Sequence, residues 1–93
     1  MVEIKHVKGK NKGKIFLYAL STCIWCKKTK QLLEDLDVEY SYVFMDQLEG
    51  EDKDKQMKEL EKWNPRCSFP TLVINNDICI TGFKEDEIRE ALE

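Results

Sequence analysis

Glycine and proline are scarce in this chain: four and two in 93 residues, with no repeat and no low-complexity tract. That excludes collagen-like and disordered architectures. No apolar run approaches the ~18 residues of a membrane span. Met1-Val2-Glu3-Ile4-Lys5-His6 lacks the apolar core and cleavage-like site of a secretory signal, so a cytoplasmic location and no membrane partner are expected. There is one histidine, and the net charge of −3 comes with no basic face beyond Lys5–Lys14. Nucleic-acid binding needs a concentrated positive field and is set aside. What is present is ordinary for a soluble protein, 42% hydrophobic and 35% charged residues, enough for one small domain acting as a monomer. Four cysteines in a reducing compartment do not read as two structural disulfides, so their spacing matters more than their number.

The basic, glycine-punctuated segment Lys8-Gly9-Lys10-Asn11-Lys12-Gly13-Lys14 separates residues 1–13, an arm or extra strand over Val2–Val7, from a domain over 14–93. Ile15-Phe16-Leu17-Tyr18-Ala19-Leu20 is continuously apolar and reads as a strand buried on both faces. Ser21-Thr22 then offers hydroxyls at a helix entry. Cys26, Thr29, Leu33 and Leu36 recur at helical spacing with Leu32 beside them, a stripe on a helix that starts at Cys23. Val38–Phe44 reads as a second strand. Glu49–Trp63 reads as a charged surface helix with Met57, Leu60 and Trp63 inward, stopped at Asn64-Pro65. Thr71–Ile74 and Ile78–Thr81 form a hairpin about Asn75-Asn76-Asp77. Glu85–Leu92 closes as a helix with Ile88, Ala91 and Leu92 inward. Early crossovers imply parallel pairing and the late hairpin an antiparallel pair.

The chemistry sits in Cys23-Ile24-Trp25-Cys26, between buried strand and amphipathic helix. Cys23 falls where unpaired backbone N–H groups and the helix dipole favour negative charge, and the thiolate is the reactive form of cysteine. Cys26 lies one turn on, opens the inward stripe, and suits a sheltered resolving thiol. The bland alternative is half of a zinc site. Zinc needs two more ligands, but Cys67 and Cys79 are eleven apart and His6 is in the arm. The strand–CxxC–helix context favours redox chemistry and no metal.

Three segments together resemble the glutaredoxin branch of the thioredoxin superfamily. They are Tyr18…Ser21-Thr22-Cys23-Ile24-Trp25-Cys26, then Ser68-Phe69-Pro70-Thr71 placed like the family's cis-proline loop, and Thr81-Gly82-Phe83 leading into the last helix. The match covers nearly everything from Lys14 to Glu93. It implies an α/β, thioredoxin-like fold, a four-stranded mixed sheet flanked by three helices, with the arm as a candidate extra strand. It implies a thiol–disulfide oxidoreductase with Cys23 as nucleophile and Cys26 resolving. Trp25, Phe69, Pro70, Thr71, Gly82 and Phe83 would form the substrate surface, with no resident cofactor. A proline at position 70 has no N–H and turns the chain sharply if cis, so Phe69 backbone groups could pair with an extended ligand. Two departures bear on subtype. Ile24 stands where glutathione-using members typically carry proline, and Thr81-Gly82-Phe83-Lys84-Glu85 replaces their Gly-Gly-x-Asp-type segment. Lys84 would repel the tripeptide's ammonium, although Glu85 or Asp86 partly substitutes. The segment resembles NrdH-type redoxins, which implies disulfide-containing protein clients and a flavin- or ferredoxin-linked disulfide reductase as donor. A glutathione-dependent glutaredoxin, or an iron–sulfur carrier using Cys23, is the alternative; a redox-inert binding module would require an accidental CxxC.

The remaining residues read more plainly. Cys67, three before Pro70, is either a third thiol gating Cys23 or a small loop residue, the latter favoured. Cys79 alternates with Ile78 and Ile80 and reads as core. Trp25 reads as one wall of a docking surface, Trp63 as packing, and His6 as solvent-exposed without a partner. The run Glu49–Asp54 reads as a solvated helix start.

Overall fold

Ile15–Ala19 (β2) is the strand on which the rest is built, and its side chains divide between two cores. Ile15, Leu17 and Ala19 face one side and Phe16 and Tyr18 the other, so both faces are covered, as the continuous apolar run requires. The computed structural model describes residues 4–92; Val2 and Glu3 of the expected N-terminal strand lie outside them. Around β2 the order is Lys5–Val7 (β1), β2, Ile24–Asp35 (α1), Tyr40–Phe44 (β3), a 3₁₀ turn at Met45–Gln47, Gly50–Trp63 (α2), Thr71–Ile74 (β4), Ile78–Thr81 (β5) and Glu85–Leu92 (α3). One five-stranded mixed sheet results, in the order β1-β3-β2-β4-β5. β2 runs parallel to β3 and antiparallel to β4, with Phe16 opposite Ser41 and Val73. β5 pairs antiparallel with β4 and β1 with β3, so the N-terminal arm does supply a strand.

Leu32, Leu33, Ile88 and Leu92 of α1 and α3 cover one face, packing on Leu17, Tyr40, Leu72 and Ile80. The other face meets α2, whose fully buried residue is Leu60, set among Tyr18, Val43, Met45, Leu48 and Val73. Burying one leucine contributes about 1.5–3 kcal/mol, and Met57 and Trp63 flank Leu60 only half-buried. The 14-residue α2 is thus held by a narrow stripe under an otherwise charged surface.

The expected second strand begins at Tyr40 rather than Val38, because Val38 is used differently. It forms an isolated parallel bridge with Lys10, and Lys10 N–H donates to Asp37 O at 2.7 Å. Gly9 permits that approach, since a Cβ there would lie 2.6 Å from the Val38 carbonyl carbon. The hairpin turn places Asn75 and Asn76 at φ of 55° and 52°, a conformation asparagine tolerates. Cys79 is half-buried on edge strand β5 rather than in the core, its thiol donating to Trp63 O at 3.4 Å. His6 is exposed but not partnerless. Its Nδ1 lies 2.9 Å from Ser41 Oγ across the β1–β3 pair, and its Nε2 lies 3.4 Å from Glu39. Among the described residues no helix is long and apolar enough to cross a membrane.

Candidate functional site

β2 ends into the turn Leu20-Ser21-Thr22, and Cys23 follows as the N-cap of α1. Cys23 N–H donates to Leu20 O at 3.2 Å, and Cys23 Sγ accepts the N–H of Cys26 at 3.2 Å. The sulfur therefore does what the Ser21 and Thr22 hydroxyls were expected to do. Ser21 is engaged elsewhere: its N–H donates to Asp46 Oδ1 at 2.9 Å and its hydroxyl donates to Asp46 Oδ2. Those two bonds hold the Asp46 carboxyl below the usual carboxylate range and tie the turn ahead of Cys23 to the 3₁₀ turn after β3. α1 carries no acidic residue in its first turn, whereas α2 has Glu51 and Asp52 and α3 has Glu85, Asp86 and Glu87. The positive end of the α1 dipole is left to the Cys23 sulfur.

The two thiols sit in unlike environments. Cys23 is half-buried and Cys26 fully buried; both are free thiols, as are Cys67 and Cys79. Burial pushes the Cys26 thiol up to about 12, the adjacent Cys23 sulfur pushes the same way, and the Asp46 carboxylate adds a smaller push. A buried neutral thiol lies one helical turn behind an accessible sulfur.

Opposite stands the loop Cys67–Pro70, with a cis Phe69–Pro70 peptide. Its frame is Asn64, the C-cap of α2, which the sequence marks only as a helix stop. Asn64 is buried, and its Nδ2 donates to Ser68 Oγ at 2.9 Å, Thr71 Oγ1 at 3.1 Å and Ser68 O at 3.3 Å. Its Oδ1 accepts the Arg66 N–H and its backbone carbonyl the Cys67 N–H. No local signal marks such a hub, because its partners lie beyond a proline turn; Asp46 is hidden likewise behind an apolar run. Cys67 adopts φ 51° and packs toward the α2-side core, whereas Cys23 packs against the other.

Of the residues singled out for substrate contact, Trp25, Phe69, Pro70, Gly82 and Phe83 line one hollow of about 240 Å³. The Trp25 and Phe83 rings stack at 6.0 Å and 26°, and Lys28 Nζ lies 4.6 Å from the Trp25 ring centre. Gly82 N–H donates to Pro70 O at 2.8 Å, and its φ of 82° suits glycine. Thr71 is not on this wall: fully buried, its hydroxyl donates to Ser68 O at 2.8 Å. A larger polar hollow, lined by His6, Lys14, Glu39 and Ser41, lies by the start of β2, whereas Cys23 follows its end. The smaller hollow is the candidate site, since it brings Trp25 of the CxxC segment together with Phe69 and Pro70 of the cis-proline loop. Among the described residues no three His, Cys, Asp or Glu side chains converge as a metal-ligand set.

A CxxC at the head of α1, facing a cis-proline loop before β4, defines a thiol–disulfide oxidoreductase on a thioredoxin-like fold. The glutaredoxin family profile matches residues 15–79, and the chain belongs to that family. It is similar to the crystal structure of Methanosarcina acetivorans methanoredoxin, 55% identical with a TM-score of 0.87, over 90% of this chain and 88% of that one. The glutaredoxin of Methanosarcina mazei is 52% identical with a TM-score of 0.89, over 96% of this chain and 86% of that one. An uncharacterized glutaredoxin-like 8.6 kDa protein in the rubredoxin operon of Clostridium pasteurianum is 32% identical over 85% of this chain and 97% of its own length. Thiol redox chemistry through the Cys23–Cys26 pair is the general function these relations support.

Proposed function

We propose that the protein is a dithiol reductase of protein disulfides, with Cys23 as attacking and Cys26 as resolving sulfur. The Cys23 thiolate attacks one sulfur of a client disulfide, a mixed disulfide forms, and one client thiolate leaves. Cys26 then gives up its proton and attacks Cys23 Sγ. The Cys23–Cys26 disulfide forms and the second client thiolate leaves, so two electrons pass from the dithiol to the client. The observation that carries this reading is the Cys26 N–H to Cys23 Sγ contact at 3.2 Å, with the first sulfur half-exposed and the second wholly enclosed. Phe69 supports it: its main-chain N–H and carbonyl have no hydrogen-bond partner among the described residues, leaving both for an extended client segment.

The electron donor in this reading is a flavin- or ferredoxin-linked disulfide reductase rather than glutathione. In support, none of the residues lining the hollow (Trp25, Phe69, Pro70, Gly82 and Phe83) is charged, so no lining side chain pairs with the carboxylates or ammonium of glutathione. The activity belongs to residues 14–93, with 1–13 as a structural arm. The direct test is a Cys26→Ser variant, expected to accumulate a client mixed disulfide that non-reducing electrophoresis resolves, while Cys23→Ser forms none. Full multi-turnover reduction by Cys26→Ser without glutathione would refute the dithiol mechanism. Insulin reduction driven by a thioredoxin-reductase-type donor, set against glutathione with glutathione reductase, decides the donor.

A further inference from the structure

We propose that the hollow beside Cys23 receives one apolar side chain from the residue next to the client's cysteine, on clients whose cysteine is surrounded by carboxylates. This rests on the dithiol reading and adds to it the class of substrate. Three observations converge on it: the size of the hollow, its lining, and the charge around it.

The hollow holds about 240 Å³. Sites for drug-sized ligands run from roughly 300 to 1,000 Å³, so this one suits a single leucine- or phenyl-sized group rather than a whole peptide. Its walls are the Trp25 and Phe83 rings, Phe69 and Pro70, with Gly82 as an open margin where a Cβ would meet nothing within 4 Å. No lining side chain can pair with the carboxylates or ammonium of a charged ligand, and burying them unpaired is costly. Beside it Ile24 and Trp25 are exposed, extending an apolar surface up to Cys23.

The α1 side of the hollow is positive. Lys27 and Lys28 lie on the first turns of α1, with Lys28 Nζ 4.6 Å from the Trp25 ring centre, and on the α3 side Glu85 and Glu87 are paired with Arg89 and Lys84. Lys27 and Arg66 are both exposed, and neither has an ion-pair partner among the described residues. Arg66 stands one residue before the Cys67–Pro70 loop, whose Phe69 and Pro70 line the hollow together with Trp25 of α1. Asp46, whose carboxylate adds to the upward push on Cys26, is already occupied by Ser21. An acidic client surface finds free cations on α1 and beside the cis-proline loop, next to an apolar seat. A basic client meets repulsion.

The test uses the full chain in its reduced form and four disulfides. Three are symmetric dimers of single-cysteine peptides: phenylalanine beside cysteine in an aspartate-rich context, alanine in the same context, and phenylalanine in a lysine-rich context. The fourth is glutathione disulfide. Single-turnover rates are divided by each compound's rate with dithiothreitol, which removes differences in intrinsic reactivity. The phenylalanine–aspartate peptide should react about tenfold or more faster than the alanine peptide, the scale of a filled against an unfilled apolar pocket. It should also outpace the lysine-rich peptide by about tenfold at low salt. Half-molar salt should erase the second ratio and leave the first, because exposed charges are screened and apolar contacts are not. Phe83→Ala should collapse the first ratio and Lys27→Glu the second. Equal normalised rates for the three peptides overturn the proposal while leaving the dithiol mechanism intact. If glutathione disulfide alone reacts, the reading as a reductase of protein disulfides falls with it. The native-chain ratios decide even if Phe83→Ala fails to fold.

Discussion

With Cys26 enclosed and its thiol pushed up to about 12, the pair cannot behave as two equivalent nucleophiles. Brief alkylation of the reduced protein at neutral pH should label Cys23 and spare Cys26, read by peptide mass spectrometry; equal labelling would mean that the helix opens. The same burial sets a pH dependence. The folded thiol keeps its proton up to about 12, while an unfolded one loses it near 9.0. Between those values the unfolded state binds fewer protons, so folding stability is intact below about 9 and falls as pH rises toward 12. Urea midpoints at pH 8 and pH 10 should therefore separate more for the reduced protein than for Cys26→Ala. Burial also pushes the Tyr18 hydroxyl up to about 12, but that group is common to both variants and cancels. Tyr40 is a different case. It is almost fully buried, and its hydroxyl has no hydrogen-bond partner among the described residues. An enclosed unpaired hydroxyl costs about 1–3 kcal/mol, so Tyr40→Phe should leave the denaturation midpoint unchanged or raise it, and a clear fall would show that a partner exists.

At the scale of elements, the cis-proline loop depends on one side chain far more than its length suggests. Asn64→Ala would strip the hub from Ser68, Thr71 and the Arg66 N–H together. Leaving such groups unpaired costs on the order of 2 kcal/mol, roughly 8–16 °C in Tm for a domain this small. Loosening the loop that faces Cys23 should also raise KM for a peptide disulfide more than it lowers kcat, whereas a purely structural role would move Tm alone. The helices were legible because each buries a stripe at helical spacing: Cys26, Thr29, Leu32 and Leu33 in α1, Ile88 and Leu92 in α3. The β4–β5 hairpin was legible from its turn residues. What could not be read was set by partners distant in sequence. Ser21 looks like a helix cap until Asp46, twenty-five residues on, takes both of its donors. Val38 looks like strand until Lys10 pairs with it. Asn64 looks like a terminator until the loop folds back over it. The cysteine pair, by contrast, needed only its place between a buried strand and an amphipathic helix.

For the whole molecule, the sheet's weak point is its β3 edge. Tyr40-Ser41-Tyr42-Val43-Phe44 is a strand without charge, proline or glycine, the composition that pairs readily with other chains when exposed. β1 is only three residues long, yet it covers that edge, with Lys5 opposite Tyr42, His6 opposite Ser41 and Val7 opposite Tyr40. The outer edge becomes β1 itself, short and carrying lysine, which is how natural sheets discourage edge-to-edge association. The redox pair lies at the far end of β2 from the arm and needs none of this. Removing residues 1–8 should therefore leave Cys23 reactive toward a model disulfide at close to its full rate. The same truncation should lower the denaturation midpoint and produce concentration-dependent association by sedimentation or light scattering. Adding a lysine at the bared edge, as Ser41→Lys in the truncated chain, should suppress that association without restoring the lost stability. A truncated protein that stays monomeric at high concentration would show that α1 and the aromatic residues of β3 protect the edge unaided, and that the arm's part in the molecule is stability alone.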